Sequence, residues 1–583
     1  MSKFKLRNPG LHTISEIVQA NTGMDEATLL NTAGQNFPIV NMEKAVKLVY
    51  EEVVHKHRKI FIFGDYDIDG ISSSYILATL FRHFVYCSPK VRLPYRFTEG
   101  YGCQPDAIDE FSDGDLLILV DNGIVAYPAI AKAKAKGMKV VVLDHHLPQL
   151  NGDGIPVLPD ADVIVDPHLY PGQFNDYCAG GLALKFAEEY ARYRSAQTGT
   201  DCMQSSYNKE LFDRFRAAAA IATIGDAVSL TGENRRIVKE GIEIMNSTPQ
   251  VLPRGLKVLI EKLDLTGIVD EKAIGFKIGP CINAPGRLYD DGAKKSFSLF
   301  FRQMTYKGAY PFVDDLLNDN EMRKEICNNW FETAKSLIAN SHMENDYPIV
   351  LALDHIPEGV VGIIAGKVAE SYKTPAIVLC DDHKSSLLKG SARTYGEVHM
   401  KNLLDQRSDL IAKYGGHAGA AGLSVERDNV EDLRKSLNAS LGKKPEEIAS
   451  DTLYDIEISK GNIDAAMEEI YKFKPYGEGN PAPVVLIKDL TLIPDGTEHY
   501  RTLSANGIKL NAGNIVGISF DCAEKYLALG APKKVDLVGN LSKSYFRGNV
   551  TRQIEFSDVE ISETKSVKTA LQLALEKRAL ERN

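Results

Sequence analysis

At 583 residues the chain is too long for one hydrophobic core, and its length predicts roughly three or four domains. Hydrophobic residues (44%) and charged residues (25%) stand in the proportions of a globular protein, which sets aside disordered and fibrous classes. No run of about 18 uncharged apolar residues occurs, so no membrane span is expected. The formal net charge of −10 speaks against non-specific binding to nucleic acid, but it is a global sum: a groove needs only local positive potential, and clustered catalytic carboxylates would push the sum negative.

The N-terminus (Met1-Ser2-Lys3-Phe4-Lys5-Leu6-Arg7) is basic but has no apolar segment behind it, unlike a signal peptide. The eight cysteines are scattered, with no CxxC pair. That pattern argues against a zinc ribbon and for a reducing compartment, with the cytoplasm as the default.

Residues 1–50 read as an N-terminal extension. From 51 to 317 the pattern is α/β. Ile60-Phe61-Ile62-Phe63, Leu116-Leu117-Ile118-Leu119-Val120 and Val140-Val141-Val142-Leu143 are short, uninterrupted apolar runs separated by helical stretches, the signature of buried parallel strands. Val163-Ile164-Val165 adds a further strand. A connecting helix is expected over 318–346, with Met322, Ile326, Trp330, Ala334 and Leu337 on one face. A second α/β pattern fills 347–450. The turn-rich stretch Lys474 to Pro483 precedes short strand-like runs, so 451–562 reads as a small β-domain, followed by a helical tail over 563–583.

The first apolar run leads into Gly64-Asp65-Tyr66-Asp67-Ile68-Asp69-Gly70. In an extended segment alternate residues share a side, so Asp65, Asp67 and Asp69 are expected to converge on one point, where cations would compensate their repulsion. A solvated turn with a helix N-cap at Asp69 or Ser72 is the bland alternative. The second run ends in Asp121-Asn122-Gly123 and the third in Asp144-His145-His146. Ligands of open parallel sheets bind beyond the carboxyl ends of the strands, and here three strands each deliver acid or imidazole at that end. Carboxylates with one or two imidazoles suit manganese or magnesium better than structural zinc. Two such ions would clamp a phosphoryl group, and Asp121 is the candidate bridging carboxylate.

These motifs resemble those of the DHH phosphoesterase family. The Asp144-His145-His146 triplet carries the family's name, the segment Gly64 to Gly70 resembles its first motif, Val120 to Ile124 its second, and Ala220 to Asp226 its fourth. The resemblance implies a fold of two α/β lobes, a parallel-sheet DHH domain and a DHH-associated domain, joined by a long helix. It implies two Mn2+ or Mg2+ ions held by Asp67, Asp69, Asp121, His145 and Asp226, with Asp65 and His146 catalytic in supporting roles. Tyr414 to Gly422 and Gly390 to Arg393 resemble substrate-binding motifs of the associated domain, pointing to Gly415, Gly416, His417 and Arg393. Taken as residues alone, the glycine-rich stretch reads as a tight strand-to-helix turn.

Gly279 to Leu288, with Asn283 and Arg287, resembles a segment of the family's single-strand exonuclease branch. That branch carries a C-terminal OB-like β-barrel, matching the strands after 484. In residues 531–555 five basic side chains face two acidic ones. Lys543, Tyr545, Phe546, Arg547 and Arg552 are the candidate nucleic-acid contacts, by stacking beside cations. The branch usually carries arginine where Cys281 stands and histidine near Pro357, whereas here His355 lies two residues early. The implied activity is a metal-dependent exonuclease on single-stranded DNA, 5′ to 3′, serving recombination and repair. A single-strand-binding protein or a helicase is the implied kind of partner. The alternative is a DHH phosphodiesterase acting on short oligoribonucleotides or dinucleotides.

Overall fold

A computed structural model describes residues 4–32, 36–382, 385–445, 451–494, 496–503, 506–546 and 549–562. The chain divides into two compact units, residues 33–446 and residues 1–32 with 447–583.

The larger unit begins with a five-stranded, wholly parallel sheet in the order Lys90–Arg92, Ile60–Phe63, Leu116–Val120, Lys139–Leu143, Val163–Val165. Both faces are covered, which is why the strands read as unbroken apolar runs. Ile62, Ile118 and Val141 face one core, which they share with the helices Ile68–Phe84 and Ala179–Thr198. Phe63, Leu119 and Val142 face the other, under the helix Tyr127–Ala135. In chain order the strands run 2-1-3-4-5, so the order reverses between the first strand and its neighbour Leu116–Val120. That reversal is where open α/β sheets bind ligands.

The connecting helix is longer than the sequence pattern indicated. It runs Tyr306–Asn340, capped by the Thr305 side chain on the Gly308 amide, and spans roughly 50 Å. Ala309, Val313 and Leu316 belong to the first lobe's core, and Cys327, Ala334 and Ile338 to the second's. Met322, assigned to the buried face, is 45% exposed. The buried stripe changes sides because the helix serves two cores in succession. The second lobe is a mixed five-stranded sheet in the order Lys413–Gly416, Ala420–Glu426, Leu387–Arg393, Ala376–Asp381, Ile349–Ala352, with the helix Glu358–Tyr372 against it.

In the smaller unit, seven strands form one sheet in the order Ile456–Ile458, Val485–Thr491, Lys534–Phe546, Asn549–Ile561, Val516–Ser519, Ile508–Asn511, Tyr500–Thr502. The β-barrel expected there is not closed: no pairing joins the two edge strands among the described residues. Residues 4–32 are more than an extension. Phe4–Leu6 pairs in parallel with Thr452–Tyr454, and Ile14, Val18 and Leu29 share a core with Ile463 and Met467. The helix Met42–Tyr50 instead packs into the core of the first lobe. The helical tail read at 563–583 lies outside the described residues. No helix among the described residues is long and apolar enough to cross a membrane.

Candidate metal centre

The loop after the first strand folds tightly onto the helix it feeds. A Cβ at Gly70 would lie 2.4 Å from the Asp65 amide nitrogen, so only glycine fits there. Asp67 is the N-cap of Ile68–Phe84: its Oδ1 accepts from the amides of Asp69 (3.0 Å) and Gly70 (3.2 Å). The bland expectation of a cap at Asp69 or Ser72 is therefore replaced by a cap at Asp67. Asp69 sits in the first helical turn, buried, with its two oxygens accepting from the amides of Ala179 and Gly180, both at 2.7 Å. Those amides open the helix Ala179–Thr198, where unpaired N–H groups favour an anion.

The three alternating aspartates do not meet at a single point. Asp65 and Asp67 group with Asp121, whereas Asp69 groups with His145 and Asp226. The cause is local: the helix starts at Ile68, and with it the two-residue alternation ends. The groups nevertheless abut. His145 Nε2 lies 3.1 Å from Asp121 Oδ1 and 3.5 Å from Asp69 Oδ2, and its Nδ1 lies 3.8 Å from Asp226 Oδ2. A third group joins Asp121 with both histidines, so Asp121 and His145 each belong to two groups. Asp121 is held in left-handed backbone (φ 62°), an uncommon conformation that persists where surrounding structure enforces it. Here Asp121 N–H donates to the Leu143 carbonyl and Tyr101 Oη donates to the Asp121 carbonyl.

Asp144 opens the triplet but turns away from the carboxylate cluster. It is fully buried and accepts from the amides of Ile124 (2.8 Å), His145 (2.8 Å) and His146 (3.2 Å), and from His146 Nδ1 (2.8 Å). Burial opposes charge on His146, but the Asp144 hydrogen bond and charge outweigh it and push its pKa up to about 9. Burial raises Asp144 in turn, and the bonds from His146 more than offset this, leaving it below its usual range. His145 is driven down to about 3 by burial and then by the His146 charge, so it stays a neutral imidazole.

Burial, followed by the neighbouring carboxylates, lifts Asp65 and Asp121 well above the usual carboxylate range, Asp69 to about 6 and Asp226 to about 9. Asp65 Oδ1 is buried without a hydrogen-bond partner among the described residues. Several buried acids held together with an orphaned oxygen, a neutral imidazole and no thiolate make a donor set for hard divalent cations. Manganese and magnesium fit it, and a cysteine-rich zinc site does not.

Beside the acids stands a bank of arginines. Arg287 is half-buried, its pKa lowered to about 10 by desolvation and by the nearby Arg96 and Arg323, and it lies within electrostatic reach of Asp67. Its Nη1 donates to the Gly359 carbonyl at 3.1 Å. A Cβ at Gly359 would fall 2.1 Å from the Arg287 carbonyl oxygen, so the two lobes touch backbone to backbone. Arg96 stacks on the Tyr66 ring, 4.3 Å from its centroid. Arg393 Nη1 donates to Ser391 Oγ (2.7 Å) and the Ala392 carbonyl (2.9 Å), and burial lowers its pKa. Neither Arg96, Arg287 nor Arg393 forms an ion pair among the described residues. Asn283 Oδ1 is likewise buried and unpartnered among them.

Gly415 and Gly416 belong to a β-hairpin rather than a strand-to-helix turn, and His417 at its tip is exposed. Cys281 is buried in the first lobe's core and accepts from Asn320 Nδ2 at 3.4 Å. The His355 ring is largely exposed, 3.5 Å from Asp381, and Pro357 occupies the N-cap of Glu358–Tyr372.

In the smaller unit, Tyr545 is 42% exposed, and Lys543 Nζ sits 4.6 Å from the Tyr471 ring centroid. Arg552 forms an ion pair with Asp464, which leaves it less available to a phosphate. Arg547 and the side chain of Phe546 lie outside the described residues. Tyr101 and Arg96 are residues at this site that sequence reasoning passed over, and Asp144 it placed in the triplet without a role.

Three family models match: the DHH family N-terminal domain over 59–213, the DHHA1 domain over 345–443 and the RecJ OB domain over 454–558. With the metal centre above, they make this chain a DHH-family phosphoesterase. Within that family it resembles RecJ. It is 29% identical over 553 residues to the single-stranded-DNA-specific exonuclease RecJ of Bacillus subtilis, covering 90% of this chain and 64% of that one. It is 29% identical over 565 residues to the Haemophilus influenzae exonuclease of the same name, covering 93% and 94%. Its fold matches the manganese complex of RecJ from Thermus thermophilus with a TM-score of 0.75 at 23% identity, over 94% of this chain and 76% of that one. The magnesium complex of RecJ from the same organism matches with a TM-score of 0.68 at 22% identity, over 94% and 75%.

Proposed function

We propose that this chain is a two-metal-ion exonuclease that hydrolyses phosphodiester bonds of single-stranded DNA from the 5′ end, in recombination and repair. The observation that carries the reading is the pair of abutting carboxylate groups joined through Asp121 and His145. They stand where the parallel sheet reverses its order, beside arginines that form no ion pair among the described residues.

Asp67, Asp69, Asp121, His145 and Asp226 would hold two Mn2+ or Mg2+ ions, with Asp65 as a further oxygen donor. Bound there, such ions polarise a phosphate and lower the pKa of a water molecule. The chain's own residues do the rest. Asp69 is oriented by the Ala179 and Gly180 amides. Asp144 fixes the ring of His146 and keeps it protonated, so a positive charge faces the cluster. Arg287 and Arg393 present planar guanidinium donors to a phosphate of the strand. Asn283 and the hairpin of Gly415, Gly416 and His417 extend the strand's binding face.

Residues 51–317, 347–450 and 451–562 serve as the catalytic, substrate-binding and strand-holding domains, with Lys543 and Tyr545 the leading contacts in the last. The cytoplasm is the proposed compartment, supported by eight free cysteines. A single-strand-binding protein or a helicase is the proposed source of the strand. The test is degradation of a 5′-phosphorylated single strand with Mn2+, followed by product analysis. Release of mononucleotides from the 5′ end of long strands is expected. Activity confined to dinucleotides or short oligoribonucleotides would refute it.

A further inference from the structure

A second pocket lies in the first lobe, away from the metal centre. Its volume is about 640 Å³, within the range of small-molecule sites. Four arginines line it (Arg82, Arg214, Arg254 and Arg302) together with His83, and no carboxylate does so among the described residues. In a chain of net charge −10 such a concentration of cations is conspicuous.

Several of these side chains are held in place by bonds that leave their charge uncancelled. Arg82 lies over the Phe301 ring, 3.8 Å from its centroid. Arg214 Nε donates to the Val251 carbonyl (2.6 Å) and Arg254 Nη1 to the Met304 carbonyl (2.7 Å). The ion pair of Arg214 is with Glu210 at 3.7 Å, outside the lining. Arg82 and Arg214 both act on the buried Tyr75 hydroxyl, so their charges converge on one part of the wall. At the rim Tyr207 is 56% exposed, with its ring 5.1 Å from that of His83, and Tyr86 is 89% exposed. The site thus combines fixed guanidinium groups for a phosphate with exposed aromatic faces for a base, the two elements of single-nucleotide recognition.

We propose that this pocket binds a nucleoside monophosphate unit, with the phosphate on Arg82, Arg214 and Arg302 and the base stacked at Tyr207. It is separate from the reaction site. Asp69 and Arg82 lie in the first and last turns of one helix, roughly 20 Å apart at 1.5 Å per residue. The helix Ser206–Gly225 runs the same distance in the opposite sense, carrying Arg214 near the pocket and ending at Asp226. The proposal does not depend on the catalytic reading.

The experiment measures dAMP binding to the full chain by calorimetry in excess chelator, which removes metal-mediated binding. Arg302→Ala and Tyr207→Ala alter exposed side chains, so folding is preserved. A binding event weakened about tenfold by each, yet unchanged in Arg393→Ala and Asp121→Ala, supports the proposal. Displacement of dAMP by an unphosphorylated deoxythymidine 12-mer, sensitive to the same two substitutions, assigns the pocket to a nucleotide within a strand. Failure of the 12-mer to displace it assigns the pocket to the free mononucleotide. No metal-independent dAMP binding, binding indifferent to both substitutions, or inorganic phosphate binding as tightly as dAMP would each overturn it.

Discussion

His145 presents Nε2 3.1 Å from an Asp121 carboxylate oxygen while its Nδ1 faces Asp226 at 3.8 Å. One neutral ring, itself at a strand end, thus spans carboxylates delivered by a neighbouring strand end and a helix terminus far apart in the sequence. Without a cation these acids are held together by backbone amide donors, by the charge of His146 and by packing, and that has consequences for stability.

Manganese is expected to stabilise the folded chain. A ligand that binds only the native state at a hundred times its Kd adds about 2.7 kcal/mol. Thermal unfolding should therefore shift upward with Mn2+ and fall back with chelator. In chelator, Asp69→Asn should melt below the wild type, because a carboxamide offers one acceptor oxygen to the two amides of Ala179 and Gly180, and with Mn2+ it should be inactive.

The pH dependence of the metal-free chain follows from the raised carboxyl pKa values. Asp69 (about 6) and Asp226 (about 9) stand above the ordinary 3.8, so the folded state binds protons more tightly than the unfolded one. Their contribution to stability is full below about pH 3.8 and is lost as pH rises through those values. Between pH 6 and pH 9 the chelated protein should lose stability. With Mn2+ the stabilisation should instead grow with pH, because the ligands must be deprotonated to bind. Melting curves in both conditions check the opposed signs.

Asp144→Asn removes the charge that fixes and protonates His146 while keeping the carboxylate's shape. Loss of a supporting partner of this kind costs roughly 10–100-fold in activity or metal affinity. The readout specific to positioning is the pH profile: its alkaline limb, set by His146 at about 9, should move to lower pH.

Gly359→Ala places a methyl group 2.1 Å from the Arg287 carbonyl. Overpacking of this kind costs about 1–3 kcal/mol. Because the contact joins the lobes beside Arg287, KM for a 5′-phosphorylated strand should rise along with the loss in melting temperature.

Tyr545→Ala with Lys543→Ala should weaken binding of long single strands by roughly 5–150-fold, from stacking worth about 1–3 kcal/mol per base. Hydrolysis of a dinucleotide should be unaffected, and a comparison of KM on the two substrates separates the effects.

Much of this was legible in the sequence where a local pattern dictates structure. The unbroken apolar runs disclosed a parallel sheet, and the acids directly after them fell at its carboxyl ends. Where the pattern was ambiguous, the reading erred for identifiable reasons. The splitting of Asp65 and Asp67 from Asp69 depends on where one helix begins. The buried face of the helix Tyr306–Asn340 changes because two cores compete for it. The place of Phe4–Leu6 beside Thr452–Tyr454 is a pairing across about three quarters of the chain, for which three residues carry no signal. Arg96 and Tyr101 reach the site from a loop, and isolated side chains in loops announce nothing in one dimension.

The most direct test counts the ions. Metal analysis of the full chain equilibrated with Mn2+ should find two per molecule, and Asp121→Ala should hold at most one, with activity reduced by more than the roughly 10–100-fold of a supporting residue. Two ions retained with undiminished activity in Asp121→Ala would contradict the account.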